Sequence, residues 1–316
     1  MKKNILIIII ALAIASLLTA VKITLTPLLM KDANYGISTL IKQGHVDDLF
    51  IGSSMFRQGI DTVSLENEER STYLLAYNGH QPFSEYIQIK ELLKNGINID
   101  TLYVDMYAYS ATAQVGLSDV RMIQDTSLKF TLSLYEQMRE HGESGIGELY
   151  EMVVKANNEI FYTWPISYPL INSRYMNGGA VTKTEGKTEE YLSNLPLGFS
   201  EDAELNTEQT KALIDLIDLC KENNIDIVFV ETPKYVRLYE NNAYINIMKK
   251  YTSFLNECDC KIILSEKTVK ECELTGVERY ITYSFDNNDA SYFSDLIHMS
   301  TDGRRQFANV LKEFMG

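Results

Sequence analysis

Two adjacent serines, and a histidine with an aspartate three residues before it, are the parts of this chain that could do covalent chemistry. The serines are Ser53 and Ser54 in "DDLFIGSSMFRQ", and the second pair is Asp295 and His298 in "YFSDLIHMSTDG". A serine hydroxyl becomes a competent nucleophile when a neighbouring base takes its proton. An imidazole base, in turn, is held in one tautomer by a carboxylate. Both motifs also have an ordinary reading. Gly52 permits a sharp turn, Ser53 or Ser54 can cap a following helix, and Ser300 can cap another just after His298. The context of the serines is more pointed than the residues alone. Leu49, Phe50 and Ile51 form an apolar run without alternation, as in a strand covered on both faces. Open α/β sheets place their sites at the carboxyl ends of such strands.

The elements that would have to position these groups follow a regular rhythm. Strand candidates are residues 48–52, "STYLLAYNG", "IDTLYVDMYAY", "IDIVFVETP" and "CKIILSE". Between them lie helical patterns: "PFSEYIQIKELLKNG", closing on Gly96, "NTEQTKALIDLIDLCKENN", headed by an Asn206 cap, and residues 243–258. The last helix is "STDGRRQFANVLKEFM". Alternating strands and helices predict a three-layer α/β domain with a mostly parallel sheet of about five strands. Residues 110–200 break the rhythm and read as a helical and irregular insertion. Within it, "DTSLKFTLSLYEQMREHG" and "GIGELYEMVVKANNEIFY" look like amphipathic helices, and "TWPISYPLINSRYMNGG" and "AVTKTEGKTEEYLSN" look like loop.

The motifs and their order resemble the SGNH/GDSL hydrolase family: "GSS" after the first strand, a glycine after the second, Asp-x-x-His before the last helix. The membrane-anchored branch is the most similar, including the D-alanyl-transfer protein of teichoic acid synthesis and proteins that work beside membrane-bound O-acyltransferases. The resemblance covers residues 46–316, with the insertion poorly matched. It implies an SGNH-like, flavodoxin-like fold with Ser54 as nucleophile, His298 as general base and Asp295 as its orienter. Ser53 takes the place of the family's Asp. The implied oxyanion donors are the Ser54 backbone N–H and Gly79. The family's third donor, an Asn after the third strand, is missing: the chain reads "VDMYAY", and the Asp105 carboxylate cannot donate. Asn78, beside Gly79, is the candidate substitute. The implied activity is hydrolysis or transfer of an acetyl, alanyl or similar group on a cell-envelope polymer. The alternative is a non-catalytic SGNH-like protein that binds polymer or scaffolds a membrane-bound O-acyltransferase.

Three further residues are candidate substrate contacts, each with a plain alternative. His80 could line the same cleft as Gly79 or face water at a helix entry. Arg57, one turn beyond Ser54, could hold an anionic head group or lie on a helix surface. Tyr107, past the third strand with Tyr109, could wall a sugar or acyl site, although with 20 tyrosines in the chain packing is the commoner role. His45 and His141 read as solvated. Cys220 reads as core, and Cys258, Cys260 and Cys272 have no zinc-ribbon spacing, although a disulfide with Cys272 is open. No metal cluster or phosphate-cradling glycine loop appears, so no cofactor is expected.

Charge and hydropathy bear on partners and location. The formal net charge of −14, with lysines and arginines scattered, disfavours nucleic acid as a partner. Lys2 and Lys3 precede an apolar run over residues 5–21, interrupted only by Ser16 and Thr19, at the short edge of a spanning helix. The lysines would keep the N-terminus inside and send the body outward, with a cleaved signal peptide as the rival reading. The expected organisation is an anchor or signal peptide at 1–22, a connector at 23–45 and one α/β domain at 46–316. The expected location is the cell membrane, single-pass, with the bulk of the chain extracytoplasmic.

Overall fold

The computed structural model describes residues 36–66, 70–117, 119, 121–124, 126, 128–140, 184–200, 202–275 and 280–315, with several positions between 5 and 17. Six parallel strands form one sheet in the order β2-β1-β3-β4-β5-β6. They are β1 (His45–Gly52), β2 (Thr72–Ala76), β3 (Asn98–Asp105), β4 (Asp226–Val230), β5 (Lys261–Ser265) and β6 (Tyr280–Tyr283). Five were expected and the sixth was not. Tyr280–Tyr283 is a four-residue edge strand whose two central residues are only partly buried, so it lacks the compact apolar run that marks the others.

Neighbouring residues of β1 feed two different cores. Leu49 and Ile51 join the larger one, with helices α2 (Pro82–Lys94), α3 (Thr207–Glu222) and α4 (Asn242–Glu257). Phe50, between them, joins the smaller one, with α1 (Ser54–Gly59) and α5 (Thr301–Lys312). Side chains alternate across a strand, so burial of both sets means that both faces are covered. This explains the unalternated run in the sequence. The result is three layers, with the sheet between two helical faces.

A glycine ends β1 for a steric reason. A Cβ at Gly52 would collide with the Cβ of Asp105 at the end of β3. Strand order reverses between β1 and β3, with β2 on one side and β3 to β6 on the other, and the crevice at such a switch point is where doubly wound sheets bind ligands.

Within the insertion, the described residues are 110–117, 119, 121–124, 126, 128–140 and 184–200. The expected amphipathic helix is present as Leu128–Glu140. The segment "AVTKTEGKTEEYLSN", expected as loop, contains a short helix at Glu189–Ser193, capped by Thr188. The other expected helix and the Trp164 loop lie outside the described residues. So do residues 18–35, with the end of the N-terminal apolar run and most of the connector. The described positions between 5 and 17 are helical and expose apolar side chains, for example Ile7 at 58% and Leu17 at 64%. Among the described residues, no helix is long and apolar enough to cross a membrane. All four cysteines are free, with Cys220 in the core.

Candidate active site

The turn after β1 delivers the nucleophile candidate on the first residue of α1. Ser53 is the N-cap, with its Oγ accepting from the backbone N–H of Met55, and Ser54 follows as the first helical residue. The two adjacent serines therefore divide the roles left open by the sequence: Ser53 caps and is buried, whereas Ser54 is partly exposed.

His298 reaches Ser54 from the far end of the chain. Its Nε2 lies 2.8 Å from Ser54 Oγ, and its Nδ1 lies 2.7 Å from Asp295 Oδ2. The second contact assigns the ring proton to Nδ1, donating to the carboxylate, and leaves Nε2 as the acceptor for the serine hydroxyl. Asp295 is itself fixed, because its Oδ1 accepts from the backbone N–H of Ile297 and of His298, each at 2.8 Å. Burial works against its ionisation, but the bond and charge of His298 and these two N–H groups hold it below the usual carboxylate range.

The loop that carries this pair is braced from outside. Phe293 and Leu296 pack with Leu192 and Tyr235 in a small separate core. The backbone N–H of Lys187 donates to Phe293 O, and Thr184 and Thr301 exchange bonds at the head of α5. Arg237 donates to the carbonyls of Leu192 and Leu195. The C-terminal part of the insertion is thus a strap across the back of the His298 loop.

Asp105, which as a carboxylate cannot donate, accepts from the serine turn. Its Oδ2 accepts from Ser53 Oγ at 2.5 Å and from the Ser53 backbone N–H at 3.1 Å. Burial raises its pKa, opposed by the Lys234 ammonium and the two Ser53 bonds. A carboxylate at the end of β3 thus holds the residue next to Ser54.

The β2 turn stands beside Gly52, whose carbonyl accepts from the backbone N–H of Tyr77 and lies 3.2 Å from His80 Nδ1. This brings Asn78 and Gly79, both exposed, next to the end of β1, with Gly79 at φ 63°. Arg57 donates to Asn78 Oδ1 at 2.9 Å, and the Asn78 backbone N–H donates to Asp119. With the oxygen occupied by a guanidinium, the amide nitrogen is the end of Asn78 left to donate.

Two candidate substrate contacts are more buried than their solvent-facing alternatives required. His80 does not face water: it is 4% exposed, with Nδ1 against the Gly52 carbonyl, and burial pushes its pKa down to about 4. Arg57 is buried and bonded to Asn78 rather than presented on a helix surface. Tyr107 is half-buried, within charge reach of Asp105 and Asp295, with its hydroxyl pKa raised chiefly by burial.

Sequence reasoning missed Lys234 and Glu231. Both are buried just past β4, and Lys234 Nζ donates to Thr232 Oγ1 at 2.6 Å. Nothing in "VETPKY" marks this lysine as internal. A cavity of about 240 Å³ opens at the same edge of the sheet, lined by Lys267, Lys270, Ser284, Phe285, Asn287 and Asn288 among others. For a metal, the described residues offer one group, His45, Asp47 and Asp100, at the opposite edge. There Asp47 already accepts from the Ser71 backbone and hydroxyl.

No family model and no curated protein matches the chain. Two solved structures align along most of it. One is a protein from Bacteroides fragilis provisionally described as an acylhydrolase, at 9% identity and a TM-score of 0.37, covering 86% of each chain. The other, from Streptococcus pneumonia and provisionally described as a platelet activating factor, aligns at 12% identity and a TM-score of 0.38, covering 94% of this chain and 99% of its own.

Proposed function

We propose that the protein performs serine-dependent acyl-ester chemistry, with Ser54 as nucleophile, His298 as base and Asp295 as orienter. The observation that carries this is the continuous relay from Asp295 Oδ2 through both ring nitrogens of His298 to Ser54 Oγ, with contacts of 2.7 and 2.8 Å. Three residues from opposite ends of the chain meet in the order and geometry that general-base activation of a serine requires.

The reaction runs in two balanced halves. Ser54 Oγ bonds to the acyl carbon while its proton passes to His298 Nε2, and the carbonyl electrons move onto oxygen. Collapse of that oxyanion expels the alcohol, which takes the proton from His298 and leaves the acyl group on Ser54. Water or a second hydroxyl then repeats the sequence in reverse order. The oxyanion donors in this reading are the Ser54 N–H at the start of α1, the Gly79 N–H and the Asn78 amide, and one such donor is typically worth about 2.7–4 kcal/mol of barrier. The substrate class follows the family resemblance: an acetyl, alanyl or similar group on a cell-envelope polymer, handled outside the membrane by a body tethered through residues 5–21. A membrane-bound O-acyltransferase is the partner in this reading.

A second reading rests on Asp105. It occupies the position of a family oxyanion donor and is turned towards Ser53, which favours a non-catalytic body that binds polymer or scaffolds the acyltransferase. Fluorophosphonate labelling separates the two. Folded wild type should label, Ser54→Ala and His298→Ala should not, and Ser53→Ala should keep much of the reaction. An unlabelled wild type with intact folding would support the scaffold.

A further inference from the structure

Two glycines grip the stem of the loop that carries the base. A Cβ on Gly186, in the strap, would collide with the carbonyl oxygen of Ser291. A Cβ on Gly303, in the first turn of α5, would collide with that of Tyr292. Neither glycine has a positive φ, so close approach rather than conformational freedom calls for glycine at both. Three consecutive carbonyls of the stem are also taken. Ser291 O accepts from Ser300 Oγ at 2.7 Å, Tyr292 O from the Ser300 N–H at 2.8 Å, and Phe293 O from the Lys187 N–H at 2.9 Å. The next residue closes the loop, since the Ser294 N–H donates to His298 O at 2.9 Å and Phe293 bridges to Met299. Two residues before Gly186, the strap is tied to α5: Thr184 N–H donates to Thr301 Oγ1, and Thr301 N–H to Thr184 O, each at 2.8 Å. A path of direct contacts therefore runs from Gly186 and Lys187 through Phe293 and Ser294 to His298.

We propose that the strap at residues 184–187 is a positioning element for the base, with Gly186 and Lys187 setting where His298 stands against Ser54. The proposal rests on the serine reading above and adds a part to it. The head of α5 holds the stem through Ser300 and Gly303, and the strap holds it through Gly186 and Lys187. Phe293, fully buried, anchors it further by packing its ring edge-on against Tyr235. The 2.8 Å contact between His298 Nε2 and Ser54 Oγ depends on this stem staying in place. A methyl group at position 186 would force a movement of about 1 Å to restore ordinary contact distances. Whether the strap or the stem yields, the base loses part of its support.

The test is Gly186→Ala against Gly198→Ala, a glycine of the same insertion whose added Cβ meets nothing within 4 Å. Each variant is read by the saturating rate constant of fluorophosphonate labelling and by hydrogen exchange of segments 184–197 and 289–300. Gly186→Ala should label about 10-fold more slowly at saturation, since misplacing a reacting pair by about 1 Å can cost up to about 100-fold. The half-saturating probe concentration should stay close to wild type, and both segments should exchange faster together. Misfolded protein would lower the amount labelled, not the rate constant of the remainder. Gly198→Ala should match wild type in both readouts. If Gly186→Ala does not fold, Thr301→Val removes only the hydroxyl that accepts from Thr184 and should slow labelling several-fold, with the same paired exchange. A wild type that does not label removes the serine reading, and the exchange comparison then decides the strap's hold on the loop by itself. A wild-type labelling rate in folded Gly186→Ala, or unchanged protection of 289–300 when 184–197 exchanges faster, would overturn the proposal.

Discussion

Asp48 and Asp105 lie on adjacent strands, both cut off from water, and the fold treats them in opposite ways. Asp48, at 0% exposure, has both oxygens taken by one side chain: Arg70 Nε donates to Oδ2 at 2.8 Å and Nη2 to Oδ1 at 2.6 Å. That is a closed, bidentate pair. Asp105 has one oxygen accepting twice from Ser53 and the other without a partner among the described residues, while its counter-charge, Lys234, acts on it at a distance. A buried ion pair that closes on itself contributes to the fold and little else. Asp105 instead ties the end of β3 to the turn that carries Ser53. The contrast leaves the unpaired carboxylate oxygen at the carboxyl edge of the sheet, beside Ser53.

The contrast breaks most visibly at Arg70. Arg70→Met would strand the Asp48 charge in the core, and losing one partner of a buried pair costs about 4 kcal/mol. Urea denaturation should show that loss, and adding Asp48→Asn should recover a good part of it. Fluorophosphonate labelling of the protein that remains folded should be unchanged, because neither residue touches the carboxyl edge. A labelling defect in folded Arg70→Met would mean that the two regions are coupled after all.

His80 offers a pH test of the same edge. Its folded pKa, about 4, lies below the usual histidine value near 6.5, mainly because of burial, with the Gly52 carbonyl and Asp119 opposing. The unfolded chain therefore binds more protons between those values, and stability rises with pH across that window. The contribution is fully present above about 6.5 and is lost as pH falls to about 4, amounting to about 3 kcal/mol at most. Asp105, Glu231 and Glu85 slope the other way, since burial raises their pKa. The measurement is accordingly a difference: wild type minus His80→Gln, by denaturation at several pH values, should show the histidine slope alone. A difference that is flat from pH 4 to 6.5 would remove His80 from the buried, neutral state assigned to it.

Legibility followed the physics of burial. Five strands could be read because both-face burial writes a compact apolar run, and β6 could not because a short edge strand does not. The Ser54, His298 and Asp295 candidates were legible because their order along the chain matches a known pattern. Their convergence was not, since it depends on strand order and on a strap from residues 184–197 that reads as polar loop. Asp105 was noticed only as a residue that cannot donate. Its partner Ser53 is 52 positions away, and nothing local announces the bond. Lys234 left no trace at all, because lysine in a sequence reads as surface and only tertiary carboxylates make it otherwise.

The smallest expected effect is the sharpest comparison, between two helix caps. Asn206 Oδ1 accepts from the N–H groups of Glu208 and Gln209 at the head of α3, on the larger core. Ser300, two residues beyond His298, accepts at Oγ from Gly303 N–H at the head of α5 and donates to Ser291 O. Replacing either cap by alanine should cost about 1 kcal/mol of stability. Only Ser300→Ala should also slow labelling of Ser54. The Ser291 carbonyl it binds lies on the same loop, and Ser300 N–H returns to Tyr292 O, so the cap fixes both ends of the segment that carries Asp295 and His298. Displacements of about 1 Å at a reacting pair can cost up to about 100-fold in rate, so a several-fold loss in labelling rate is expected from partial loosening. Measuring both variants at matched stability separates the effects. Equal labelling rates in Ser300→Ala and Asn206→Ala would show that the loop is held by the strap and its small core alone.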